Sequence, residues 1–186
     1  IHFVVNSVIT ILGYDDFAFC IKNIELCAVS KWSEKTEVAF ALATSSHIYH
    51  MFFFMDKLKP SEWVHHISMC VVCVPLTIFY NSTKNAMVAL WFLTGFPGAI
   101  DYFLLWLVKL EIISKELEKQ LYILISLLLR SPGCIMSITL QIPLLWENTL
   151  TFTEKITKLL INMMVFWNGQ YYLLTTIKDS VRSNII

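Results

Sequence analysis

The stretch WVHHISMCVVCVPLTIFY, residues 63–80, decides the fold. It holds no Asp, Glu, Lys or Arg, and a helix needs about 18–20 largely apolar residues to cross the hydrocarbon core of a bilayer. Its apolar residues run on continuously instead of alternating, so a helix is predicted and a β-barrel strand is not. Two imidazoles, His65 and His66, lie just inside it. Ionisable groups are costly in hydrocarbon and normally face a protein interior there.

Similar runs flank this one on both sides. Residues 37–55 form the preceding predicted span, joined by the polar connection Asp56-Lys57-Leu58-Lys59-Pro60. Ser61 is the expected helix N-cap, and Trp63 sits at interface depth. A short turn, residues 81–85, leads to a span over 86–108, in which Gly95-Phe96-Pro97-Gly98 predicts a kink or break just before Asp101. Residues 111–120 read as a charged, helix-prone loop. Residues 121–146 are apolar but interrupted by Arg130-Ser131-Pro132-Gly133, either one kinked span or a short helix and a span. The last span is residues 159–177. Residues 1–13 look like the end of a truncated span, as a chain opening on Ile1 suggests, and residues 14–35 like a loop with an interfacial helix. The expected organisation is therefore an N-terminal part, 1–35, and one transmembrane domain, 36–182, in an all-α, multi-pass bundle of about 5–7 spans.

Composition agrees. Of 186 residues, 56% are hydrophobic and 15% charged, and mean hydropathy is +0.63; soluble domains are about 45–50% apolar and about 25% charged. Lys plus Arg and Asp plus Glu number 14 each, which leaves no basic surface for nucleic acid. Basic residues are spread over loops of both sides, so the positive-inside rule does not orient the chain. Five cysteines, an odd number, do not make a complete disulfide framework. Cys70 and Cys73 form a C-x-x-C inside a span, where two small apolar residues on one helix face are expected.

The polar residues inside the spans are the candidate functional groups. His47 and His50 share one helix face. His65 and His66 are about 100° apart on theirs. An imidazole can serve as a general base, with a carboxylate such as Asp101 orienting it. Histidines satisfied by neighbouring helices are the plain alternative. No metal and no cofactor is assigned, because di-iron desaturases and hydroxylases need more histidines than the one remaining, His2. There is no G-x-S-x-G serine. Asn81-Ser82-Thr83 is a formal glycosylation sequon, expected to stay unmodified because its turn lies against the membrane. Neither an inverted repeat nor a ring of like charges marks a channel or transporter, and Lys178 is too near its span's end for a retinal site.

The order Trp63-Val64-His65-His66, Tyr80-Asn81, Asp101 and Lys109 resembles the signature of the TLC-domain family, the fold of ceramide synthases and related lipid-handling membrane proteins. Arg130 and the segment Trp167-Asn168-Gly169-Gln170-Tyr171-Tyr172 extend the resemblance over residues 36–182. It implies six to seven helices around a lipid-accessible cavity in an endomembrane of endoplasmic-reticulum type, another organellar membrane being the alternative. It also implies His65, His66 and Asp101 as catalytic candidates, and His47, His50, Asn81, Lys109, Arg130 and Gln170 as lipid-binding candidates. The expected function is binding or regulating an acyl lipid. Ceramide synthases carry a second aspartate where Pro97-Gly98 stands and an acidic residue where Leu105 stands, so acyl-CoA-dependent N-acyl transfer is the alternative and enzyme activity is left open. A structural subunit of a larger membrane complex, or a homo-oligomer, is the third expectation.

Overall fold

The computed structural model describes residues 1–146 and 150–182. Among these the chain is helical, with one isolated bridge between Lys31 and Thr83. The helices are α1 (His2–Lys22), the single turn α2 (Ile24–Cys27), α3 (Glu34–Phe53), α4 (Pro60–Tyr80), α5 (Lys84–Lys109), α6 (Lys115–Leu145) and α7 (Phe152–Arg182). Four of them, α1, α4, α5 and α6, are long and apolar enough to cross a membrane. That is fewer than the 5–7 spans expected. Helices α3 and α7 are long but too polar to qualify, and much of the polarity of α3 (Thr44, Ser46, His47 and His50) lines an interior cavity.

The six long helices close into a ring. Its order is α1, α3, α4, α7, α6, α5 and back to α1. Connections are short and sequential long helices run antiparallel, so every second helix end meets at the same end of the ring. The N-terminal residues are not a separate segment: α1 is one continuous 21-residue helix packed on α3 and α5. Large apolar side chains such as Val71, Phe79, Leu128 and Met163 cover the outside, where hydrocarbon replaces water as solvent.

Local sequence explains the helix limits. Ser33 caps α3, its Oγ accepting from the Thr36 N–H at 3.4 Å. Ser114 does the same for α6 through Leu117. Helix α4 starts two residues earlier than a Ser61 N-cap implies, Lys59 taking the cap position. Pro60 takes the first helical position, where its missing N–H costs nothing, and the Glu62 carboxylate accepts from the Lys59 N–H at 2.7 Å.

The internal prolines do not break their helices. Three of them are preceded by a π-helical segment, Ser68–Cys73 before Pro75, Trp91–Gly95 before Pro97 and Ser126–Arg130 before Pro132, whereas Pro143 lies near the C-terminal end of α6 without one. A proline lacks the N–H and crowds the carbonyl four residues back. Widening the preceding turn accommodates the ring and lets the helix continue. The expected kink near Asp101 is thus a bulge, and residues 121–146 belong to one helix.

Close approach is the work of small residues. A Cβ on Gly133 would run into the Phe92 ring, so α5 and α6 touch only because that position is bare. Gly13 bears the same relation to Met87. A disulfide, Cys20–Cys27, joins the end of α1 to α2, with both residues fully buried; residue counting had given no sign of it. Cys70, Cys73 and Cys134 are free thiols.

At this same end Asp16, 2% exposed, accepts from the Ser33 N–H at 2.7 Å and from Thr36 Oγ1 at 2.8 Å, and pairs with Lys84. It ties α1 to the starts of α3 and α5. Removing one partner of a buried pair strands the other charge, a loss of about 3–5 kcal/mol. Asp16→Ala is expected to lower unfolding stability in detergent by that order, read from a denaturant titration. Asp15→Ala, which removes only the exposed pair with Lys35, is expected to leave the midpoint unchanged.

Candidate functional site

Inside the ring lies a cavity of about 650 Å³ to which all six long helices contribute. Its size falls in the range of small-molecule sites, about 300–1,000 Å³. It has three zones along the ring axis. At one end gather the C-termini of α3, α5 and α7 and the N-termini of α1, α4 and α6. Here all five histidines of the chain line the cavity, together with Asp101 and Arg130. The middle wall is apolar, including Phe40, Leu90, Leu93, Ile161 and Val165. The far end is polar again, at Thr77, Asn81 and Asn85.

The imidazoles contact one another. His47 Nδ1 and His66 Nδ1 are 2.8 Å apart, and His50 Nε2 and His2 Nε2 3.0 Å apart. In each contact one ring donates and the other accepts, which fixes opposite tautomers. His65 Nδ1 lies 3.2 Å from the Asn168 amide. The rings of His47, His65 and His66 form a near-equilateral triangle, with centroids 5.0–5.3 Å apart. His2, which the sequence had left outside the site, also stacks near Tyr102, with centroids 4.7 Å apart.

Asp101 shares the cavity with His65 and His66, yet no hydrogen bond among the described residues joins it to an imidazole. The orienting partners of the rings are Asn168 and other histidines instead. Arg130, 8% exposed, donates from Nη1 to Tyr122 Oη at 2.6 Å and lies over that ring. Among the described residues its Nε has no partner, and neither has Asn162 Nδ2 on a residue of the same cavity wall. Unpaired buried donors are uncommon and mark places where an acceptor is missing.

The other candidates are distributed differently. Asn81 is at the cavity floor, 2% exposed, its Oδ1 accepting from Gln141 Nε2 at 2.5 Å and Lys158 Nζ at 3.0 Å. It bonds the α4–α5 turn to α6 and α7. Gln170 is not in the wall: it exchanges hydrogen bonds with the Ser131 hydroxyl at 2.9 and 3.1 Å, binding α7 to α6. Lys109 ends α5 on the exposed surface, away from the cavity.

Because Asn81 is buried inside the ring, its side-chain nitrogen is out of reach of a glycosyltransferase. The peptide spanning residues 81–83 is expected at its unmodified mass after expression in a glycosylating host, checked by peptide mass spectrometry. No family model, curated protein or solved structure matches this chain.

Proposed function

We propose that this membrane protein holds a single-chain acyl lipid in its central cavity, with the lipid's polar end among the histidines and Arg130 and its tail along the apolar middle. One observation carries the reading. Arg130 and Asn162, whose Nε and Nδ2 are buried without a partner among the described residues, stand in the wall of a cavity whose middle zone is apolar. A carboxylate or phosphate oxygen supplies the missing acceptor, and guanidinium is well suited to both. Hydrocarbon is the natural filling for the middle zone. The resemblance to lipid-handling TLC proteins supports the same conclusion and an endomembrane location. No acyl-transfer step is assigned, since the described hydrogen bonds of His65 and His66 run to Asn168 and His47 and not to Asp101.

Lipid extraction and mass spectrometry of the purified protein test this. A stoichiometric acyl lipid with an acidic polar end is expected. Arg130→Ala removes the charged donor, worth about 1.5–3 kcal/mol when hydrogen-bonded, and is expected to reduce retention at least tenfold. Leu93→Trp fills the apolar zone and is expected to reduce it similarly. Folded wild-type protein with no bound lipid, or retention indifferent to both substitutions, refutes the proposal.

A further inference from the structure

We propose that His47, His65 and His66 form a three-imidazole site for a first-row divalent metal ion of the zinc type, its remaining position open to the cavity. The assignment rests on geometry and stands whether or not a lipid binds. One ligating nitrogen from each residue can be chosen so that all three lie within 4.8 Å of one another. On a tetrahedral ion with Zn–N bonds of about 2.0–2.1 Å, such nitrogens lie about 3.3 Å apart. The 2.8 Å between His47 Nδ1 and His66 Nδ1 is already at that scale. The ring planes are inclined to one another by 57–68°. Rings gathered round one point are mutually inclined in this way, whereas stacked rings would be parallel.

The chain builds the triangle from two elements only. Helix α3 supplies His47, and α4 supplies the neighbours His65 and His66, immediately before its π segment. A second layer is also in place. The Asn168 amide lies against His65 Nδ1, and with its oxygen turned to that nitrogen it would fix the proton there and leave Nε2 to ligate. His50 stands 5.3 Å from His66, ring to ring, and is itself held by His2. Glu62 and Asp101 line the same cavity and offset part of the positive charge that Arg130, Lys57 and an added dication bring to it. Three neutral imidazoles and an open position are the donor set of catalytic zinc sites, not of closed structural ones. The count of histidines in the sequence argued against a metal because it assumed a two-iron centre; one ion needs only three.

The test uses tag-free, full-length protein in detergent, incubated with Zn(II) or Co(II) alone and dialysed. About one ion per chain is expected, with cobalt showing the visible bands of a low-coordinate site. X-ray absorption of the wild-type cobalt form is expected to show three imidazoles. His47→Ala, His65→Ala and His66→Ala should each reduce uptake at least tenfold, while Lys109→Ala, on the exposed surface away from the cavity, retains it. Folded wild-type protein that takes up no stoichiometric metal overturns the site, leaving a hydrogen-bonded imidazole cluster. So does uptake that survives loss of the three ligands, or that vanishes in Lys109→Ala. Should the ligand variants fail to fold, the absorption spectrum decides, fewer than three imidazoles being the adverse result.

Discussion

Polar side chains cannot face hydrocarbon without losing their hydrogen bonds, and this constraint closes the ring. Each long helix carries polar groups along one side: Asn6 and His2 on α1, Thr44 and His47 on α3, Thr77 and His66 on α4, Asn85 and Asp101 on α5, Ser137 and Arg130 on α6, Asn162 and Asn168 on α7. All of them turn to the same interior space. An open sheet of helices would leave some of these groups against lipid. Six helices in a closed circuit leave none there, and the apolar outer surface follows from the same partition.

The two ends of the circuit are built differently. At one, Asp16, Lys84, Asn81, Gln141 and Lys158 bond to named partners across helices and act as a fastening. At the other, the histidines bond mainly to one another, and among the described residues a buried polar atom stays unpaired at each end, Gln141 Oε1 at the first and Arg130 Nε at the second.

The helical class and the position of most long helices were legible in the sequence because continuous apolar length is a local property. The convergence of His47, His50, His65, His66, Asp101 and Arg130 was legible too, since each is too polar for lipid. What escaped was anything set by helix pairing. Lys109 and Gln170 read as site residues from order along the chain, but their rotational position puts one on the surface and the other against Ser131. His2 lay in a stretch too short to look like a span until the whole of α1 formed. Glycine and proline near Asp101 suggested a break, because sequence shows the lost hydrogen bond and not the π turn that absorbs it.

The cavity also reaches the α3–α4 connection, where Phe54, Lys57 and Leu58 form its rim and Lys57 lies 6.0 Å above the Phe54 ring. The imidazoles stand just within that mouth, and the hydrocarbon-lined depth lies beyond them, ending on Asn81. An occupant of the proposed kind, entering from this connection, would pass its tail by the histidines before its head was seated. Its chain length would be measured between two fixed points, making the bundle a ruler whose stop is an asparagine.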